Sequence, residues 1–179
     1  MEQLKIVPAH ELLPCTEEEV RVIEEQLKLR LPEAYRSFLL WMGHGAGRLM
    51  QGLDCFYEHL LDFQSKARFL LAQHECRSSI PEDAFIFFML EDRCFSFIRT
   101  SEGDNPPIYT YNSGWRHVPF RKIYHHFNNF LAIEIEMLED FLTGDKTLLP
   151  EVKSRLEALQ HHNAGAIFSV SEKRHGVEF

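Results

Sequence analysis

Thr100-Ser101-Glu102-Gly103-Asp104-Asn105-Pro106-Pro107-Ile108-Tyr109-Thr110-Tyr111-Asn112 reads as an acidic turn closed by two prolines and followed by a short tyrosine-rich strand. Gly103 supplies the backbone freedom of a tight reversal, Asp104 and Asn105 form turns through side-chain-to-backbone bonds, and Pro106 and Pro107 deny two N–H donors to a sheet ladder. On the N-terminal side lie two apolar runs, Ala84-Phe85-Ile86-Phe87-Phe88-Met89-Leu90 and Cys94-Phe95-Ser96-Phe97-Ile98-Arg99. Together these predict a three-stranded antiparallel meander. In its first strand both parities are apolar, with Phe85, Phe87 and Met89 on one side and Ile86, Phe88 and Leu90 on the other. Such a strand is central and covered on both faces. Tyr109 and Tyr111 share one face of the third strand, read as the exposed last strand.

Helical patterns flank the meander, so the fold class is α+β. Thr16-Glu17-Glu18-Glu19 is a capping box, with carboxylates at the positive end of the helix it opens. Val20, Ile23, Leu27 and Leu31 follow at helical spacing, and Glu24 and Lys28 stand at i,i+4 on the wet face. Leu31-Pro32-Glu33 ends that helix and starts another, with Pro32 in the first helical position and Gly43 as the stop. The loop Gly43-His44-Gly45-Ala46-Gly47-Arg48 is not a phosphate cradle, because its glycines follow a helix instead of opening one. A third helix is expected over 61–77. After a loop carrying Trp115, Arg116 and His117, a long helix is expected over 121–142, with the stripe Phe127, Leu131, Ile135, Leu138 and Leu142. Residues 1–145 form the domain on this reading, and 146–179 a C-terminal helix and loosely held tail appended to it.

The chain has 179 residues, 45% of them hydrophobic, and 15 phenylalanines, enough for a packed core. Its 27 Asp+Glu against 19 Lys+Arg give a net charge of −8. That excludes a general nucleic-acid binder, which needs a basic footprint, and suits an acidic face for a basic protein partner. No apolar run reaches the roughly 18 residues of a membrane span, and no signal peptide is visible at the start. Cys15, Cys55, Cys76 and Cys94 are spread apart and read as reduced thiols, with Cys94 in the core and the cytoplasm as the expected location.

Catalytic and metal chemistry leave little trace. His125-His126 and His161-His162 are adjacent pairs, which point about 100° apart on a helix and do not chelate together. No Gly-x-Ser-x-Gly or His-x-x-x-His motif is present. A Cys-His pair meets only in the fold, so the sequence leaves that pairing open. No cofactor, metal ligand or catalytic residue is assigned, and the protein is expected not to be an enzyme. The candidates that remain belong to protein binding. Trp41, Tyr109, Tyr111, and Trp115 with Arg116 are of the types enriched in hot spots, and Glu91, Asp92, Glu102 and Asp104 supply negative charge.

The order of segments resembles the SUKH superfamily, specifically its Smi–Knr branch. An acidic capped helix leads into Leu31-Pro32-Glu33-Ala34-Tyr35-Arg36-Ser37-Phe38-Leu39, then a glycine loop. Later come the Phe-rich strand pair and Asp104-Asn105-Pro106-Pro107-Ile108-Tyr109-Thr110-Tyr111-Asn112. The likeness runs over about residues 12–142. The chain departs from it at Asp92-Arg93-Cys94-Phe95, where members often show glycine before an aromatic residue. The resemblance implies a mostly antiparallel mixed sheet packed by helices, no catalytic residues, and a protein partner. Many bacterial members are immunity proteins that neutralise toxins, often nucleases, while fungal members are adaptors in cell-wall synthesis and signalling. The reading is therefore a non-catalytic intracellular protein-binding module, an immunity protein first and a regulatory scaffold second. An unrecognised hydrolase or small-molecule binder stands third.

Overall fold

The computed structural model describes residues 7–50, 53, 55–90, 93–115 and 119–143. The helix and tail expected over 146–179 lie outside the described residues. A 3-10 turn at Ala9–Glu11 leads into β1 (Leu12–Leu13), α1 (Glu17–Leu27), α2 (Glu33–Met42), β2 (Gly45–Ala46) and α3 (Tyr57–Gln73). Four strands follow, β3 (Ala84–Leu90), β4 (Cys94–Arg99), β5 (Ile108–Asn112) and β6 (Phe120–Tyr124), and then α4 (Phe127–Thr143). The architecture is α+β. Every pairing is antiparallel, in a two-stranded ladder β1-β2 and a sheet of order β3-β4-β5-β6.

The N-terminal helices form where local chemistry directs them. The Thr16 hydroxyl accepts the Glu19 N–H at 3.2 Å, and Glu19 Oε2 accepts the Thr16 N–H at 2.7 Å, completing the capping box. α1 ends at Lys28, whose φ of 53° is left-handed. Glu24, expected to pair with Lys28, instead accepts the Leu31 N–H at 2.9 Å and faces Arg36 at 3.5 Å. Pro32 is the residue before the helix and not its first member; its extended ψ of 146° turns the chain between α1 and α2.

Several expectations about the sheet are corrected. The meander has four strands, because Phe120–Tyr124 pairs with β5 instead of opening the last helix. Among the described residues β3, expected to be central, is joined at one side only, and β5, expected at the exposed edge, lies inside the sheet. The parity of β3 also changes midway, since a bulge interrupts its register between Ile86 and Phe88. Phe85 pairs opposite Ile98 and Phe88 opposite Ser96, so both share a face, whereas Ile86 and Met89 stand opposite Phe97 and Phe95 on the other. All seven residues of β3 are buried, as the double apolar parity predicts.

On the side of β3 away from β4, a side chain of α3 bonds the strand. Gln64 of α3 donates to the Ile86 carbonyl at 2.8 Å and accepts the Ile86 N–H at 3.3 Å, replacing the missing strand at that residue. One face of the sheet carries a ladder of rings, with Phe95 stacked on Tyr111 at 5.2 Å and Phe97 on Tyr109 at 5.4 Å. Toward α2 and α4 a second aromatic group forms around Tyr35, whose ring meets Phe85 at 4.9 Å and Phe127 at 5.1 Å, both edge-on.

The Tyr35 hydroxyl is fully buried and has no hydrogen-bond partner among the described residues. Burial, with Cys55 and Cys15 nearby, pushes its pKa well above the ordinary tyrosine value. Leaving such a group without a partner costs about 1–3 kcal/mol. Tyr35→Phe keeps the ring contacts and removes that cost. The variant is expected to melt higher than the wild type, by an amount equivalent to about 1 kcal/mol. A lower melting temperature would reveal a bonded hydroxyl and refute the account.

Candidate partner-binding surface

The acidic turn is a junction between sheet and helices. Gly103 sits at φ 91°, in the left-handed region that favours glycine. The Asp104 carbonyl accepts the Ala34 N–H at 2.8 Å, and Asn105 Oδ1 accepts the Asn128 N–H at 3.1 Å. The turn thus satisfies orphan donors in the first turns of both α2 and α4. His126 Nδ1 donates to the Asn105 carbonyl at 3.0 Å and holds the second junction.

Within the turn, charge is already engaged. Arg99 Nε donates to both oxygens of Asp83, at 3.0 and 3.2 Å, and Ser101 donates its hydroxyl to the same carboxylate. Burial works against the ionised Asp83, but the Ser101 hydroxyl and the Arg99 guanidinium outweigh it and hold the carboxyl below its ordinary range. Glu102 accepts the Tyr109 hydroxyl at 3.0 Å and stands 3.5 Å from Arg99. The half-buried Glu102 and Tyr109 therefore brace the turn, and Asp104 carries its exposed charge. The exposed Glu33 lies one residue before Ala34 at the same junction, adding a second carboxylate there.

The aromatic candidates separate. Trp41, at the C-terminal end of α2, is 48% exposed and available to a partner. Counting from Ala34, it lies about 10 Å further along the helix than the acidic junction. Tyr109 is half-buried, with Lys122 over its ring at 5.6 Å. Tyr111, read as lying in the exposed last strand, is buried, and so is Trp115 in its loop. Tyr111 is held inside by its stack on Phe95 and by the 2.9 Å bond between its hydroxyl and His74 Nδ1. Trp115 lies under the Arg121 guanidinium, 4.6 Å from the ring centroid, and lines a pocket. Glu91, Asp92 and Arg116 lie outside the described residues.

That pocket was not foreseen from sequence. Phe88, Ile108, Trp115, Tyr124 and Phe130 give it apolar walls, the bonded hydroxyls of Ser96 and Thr110 (2.7 Å apart) form part of its lining, and Glu134 of α4 enters it. Among the described residues no Lys, Arg or His lines it. Desolvation raises the Glu134 carboxyl from 4.5 to about 7. A carboxyl raised on folding contributes its full stability below the unfolded pKa, and that stability is lost as pH rises through the folded value. Between about pH 4.5 and 7 the wild type is therefore expected to lose on the order of 2–3 kcal/mol through this group, allowing for its partial exposure. Glu134→Gln should match the wild type at pH 4.5 and exceed it at pH 8 in urea midpoint. Equal midpoints at both values would show an ordinary, hydrated carboxylate.

A family model described as SMI1 / KNR4 family (SUKH-1) matches residues 14–133. The chain belongs to that family. The match begins just before α1 and ends in the second turn of α4, so it spans the acidic turn and the whole four-stranded sheet. No curated protein matches the chain significantly. SUKH-1 proteins are typically protein-binding and generally non-catalytic, and membership is consistent with an immunity-like or a regulatory protein. Among the described residues no helix is long and apolar enough to cross a membrane.

Proposed function

We propose that this SUKH-1 protein is a non-catalytic protein-binding module that acts as an immunity protein, masking a basic toxin domain. The family match over residues 14–133 carries the reading. The net charge of −8 supports it, because complementary charge accelerates encounter and fixes orientation. Asp104 and Glu33 offer carboxylates at the helix junction, and Trp41 offers an aromatic anchor on the same helix as Glu33. In this reading the partner's cations meet the junction, Trp41 inserts into an apolar pocket of the partner, and Glu102 and Tyr109 hold the turn in shape.

The test is a pull-down from the native host with tagged full-length protein at low and high salt. A basic toxin domain recovered at low salt and weakened at high salt is the expected result, since screening reduces exposed charge pairing. Its gene should neighbour that of the immunity protein. Salt-resistant recovery of a housekeeping complex would replace this reading with the regulatory-scaffold one. Asp104→Asn with Glu33→Gln should slow association while leaving the melting temperature unchanged.

A further inference from the structure

Four elements converge near the N-terminal end of α1. Cys15 is anchored by its N–H on the Leu39 carbonyl at 2.9 Å, and His44 by its N–H on the Leu13 carbonyl at 2.8 Å. Glu58 lies in the first turn of α3, whose Tyr57 N–H is bonded to the Gly43 carbonyl at 2.8 Å. Gly43 has no side chain to spare here, since a Cβ would stand 2.3 Å from Cys15 Sγ. Cys15 Sγ, a Glu19 carboxylate oxygen and a His44 ring nitrogen all lie within 4.8 Å of one another.

The hydrogen bonds around His44 pose a chemical question. Nδ1 is 3.0 Å from Glu58 Oε1 and Nε2 is 2.9 Å from Glu19 Oε1. Both acceptors are carboxylates, so each nitrogen must present positive character. A neutral imidazole has only one N–H. Bonds from Thr16, then from His44, hold the Glu19 carboxyl below its ordinary range. Burial works against the ionised Glu58, but His44 and the Glu58 N–H outweigh it and lower that carboxyl too. With both carboxylates ionised, either the ring is doubly protonated, or a cation takes the place of the proton at Nε2. The other oxygen of Glu19, Oε2, is already used by Thr16, which aims Oε1 at the cluster. The Glu58 contact at Nδ1 matches the carboxylate–histidine arrangement that orients metal-bound imidazoles.

A nucleophilic Cys-His pair is the competing use of these residues, and the geometry opposes it. Burial, then Glu19 and Glu58, push the Cys15 thiol up to about 12, and neither ring nitrogen is free to serve as base. A bound dication reverses that balance by supplying the charge that a thiolate beside two carboxylates requires.

We propose that Cys15, Glu19 and His44 form a Zn²⁺-binding site, with Glu58 as the positioning residue that holds His44. One sulfur, one nitrogen and one carboxylate oxygen suit a borderline-soft, tetrahedral ion, and three protein ligands leave the fourth position to water or a partner's group. The proposal runs against the expectation from sequence that the chain holds no metal. It does not depend on the immunity reading. Binding requires the Cys15 thiol and His44 Nε2 each to give up a proton, so affinity should rise with pH. The titratable groups facing His44 are Glu19 on α1, Glu58 and Tyr57 on α3, and Cys15.

The test is titration of chelator-stripped full-length protein with Co²⁺, then Zn²⁺. An equimolar complex with a thiolate-to-cobalt charge-transfer band, displaced by Zn²⁺, is expected. The band should persist in Cys76→Ser and vanish in Cys15→Ser, with circular dichroism confirming that both are folded. Glu58→Gln should keep the band and weaken binding by about 10–100-fold. Wild-type protein that yields no charge-transfer band with Co²⁺ overturns the proposal without recourse to any variant. So does a band that survives in folded Cys15→Ser.

Discussion

Phe127→Ala is expected to destabilise the protein by about 3–5 kcal/mol, a large part of the roughly 5–15 kcal/mol that holds a domain of this size. Phe127 is fully buried at the start of α4. Its ring meets Tyr35 at 5.1 Å, Phe87 at 5.6 Å and Phe38 at 5.8 Å, all near edge-to-face, and so joins α4 to α2 and to the sheet. Truncation opens a cavity among aromatic walls that cannot collapse without moving two helices. Chemical denaturation gives the loss directly, with Phe69→Ala as the control: Phe69 is 65% exposed, and its removal should stay within about 0.5 kcal/mol. A loss below about 1 kcal/mol at Phe127 would mean that α4 does not dock through this ring.

Gln64→Leu is expected to cost about 2–4 kcal/mol although it preserves volume and raises hydrophobicity. The substitution leaves the Ile86 N–H and carbonyl without the partners that Gln64 supplies inside a buried helix–strand contact. Each orphaned buried group costs about 1–3 kcal/mol, which outweighs the apolar gain. Hydrogen exchange provides a second readout: the Ile86 amide should lose protection in the variant while amides of β4 and β5 keep theirs. A variant as stable as the wild type would show that water satisfies the edge of β3 and that Gln64 is dispensable.

The contrast between these two positions shows where sequence reading stops. Phe127 was legible as the head of a helical stripe, because a 3.6-residue period is written locally. Gln64 was not, because nothing near it marks a side chain that replaces a strand. Phe120–Tyr124 failed for a related reason. Short segments of mixed apolar and basic residues carry both periods equally well, and the outcome was settled by the backbone of β5, whose Tyr109, Thr110 and Tyr111 pair with it. Tyr111 was expected at the surface because β5 was read as the last strand, and Trp115 was read only as a loop residue, yet ring stacking and the His74 bond hold the first inside, and the Arg121 guanidinium covers the second.

By itself, the sequence determined the α+β class, the capping box that opens α1, the break at Pro32, the apolar strands of the meander and the turn at Gly103. Each rests on chemistry within a few residues: a cap, a proline ring, a period of two or 3.6, a left-handed φ. Only the tertiary structure decided that Asp104 and Asn105 pin two helices, that Glu134 enters an apolar pocket, and that His44 stands between two carboxylates. Gln64 reaches Ile86 across 22 positions, His74 reaches Tyr111 across 37, and Glu19 reaches His44 across 25. Such partners come together only when the core closes, and no local propensity records which of them will meet.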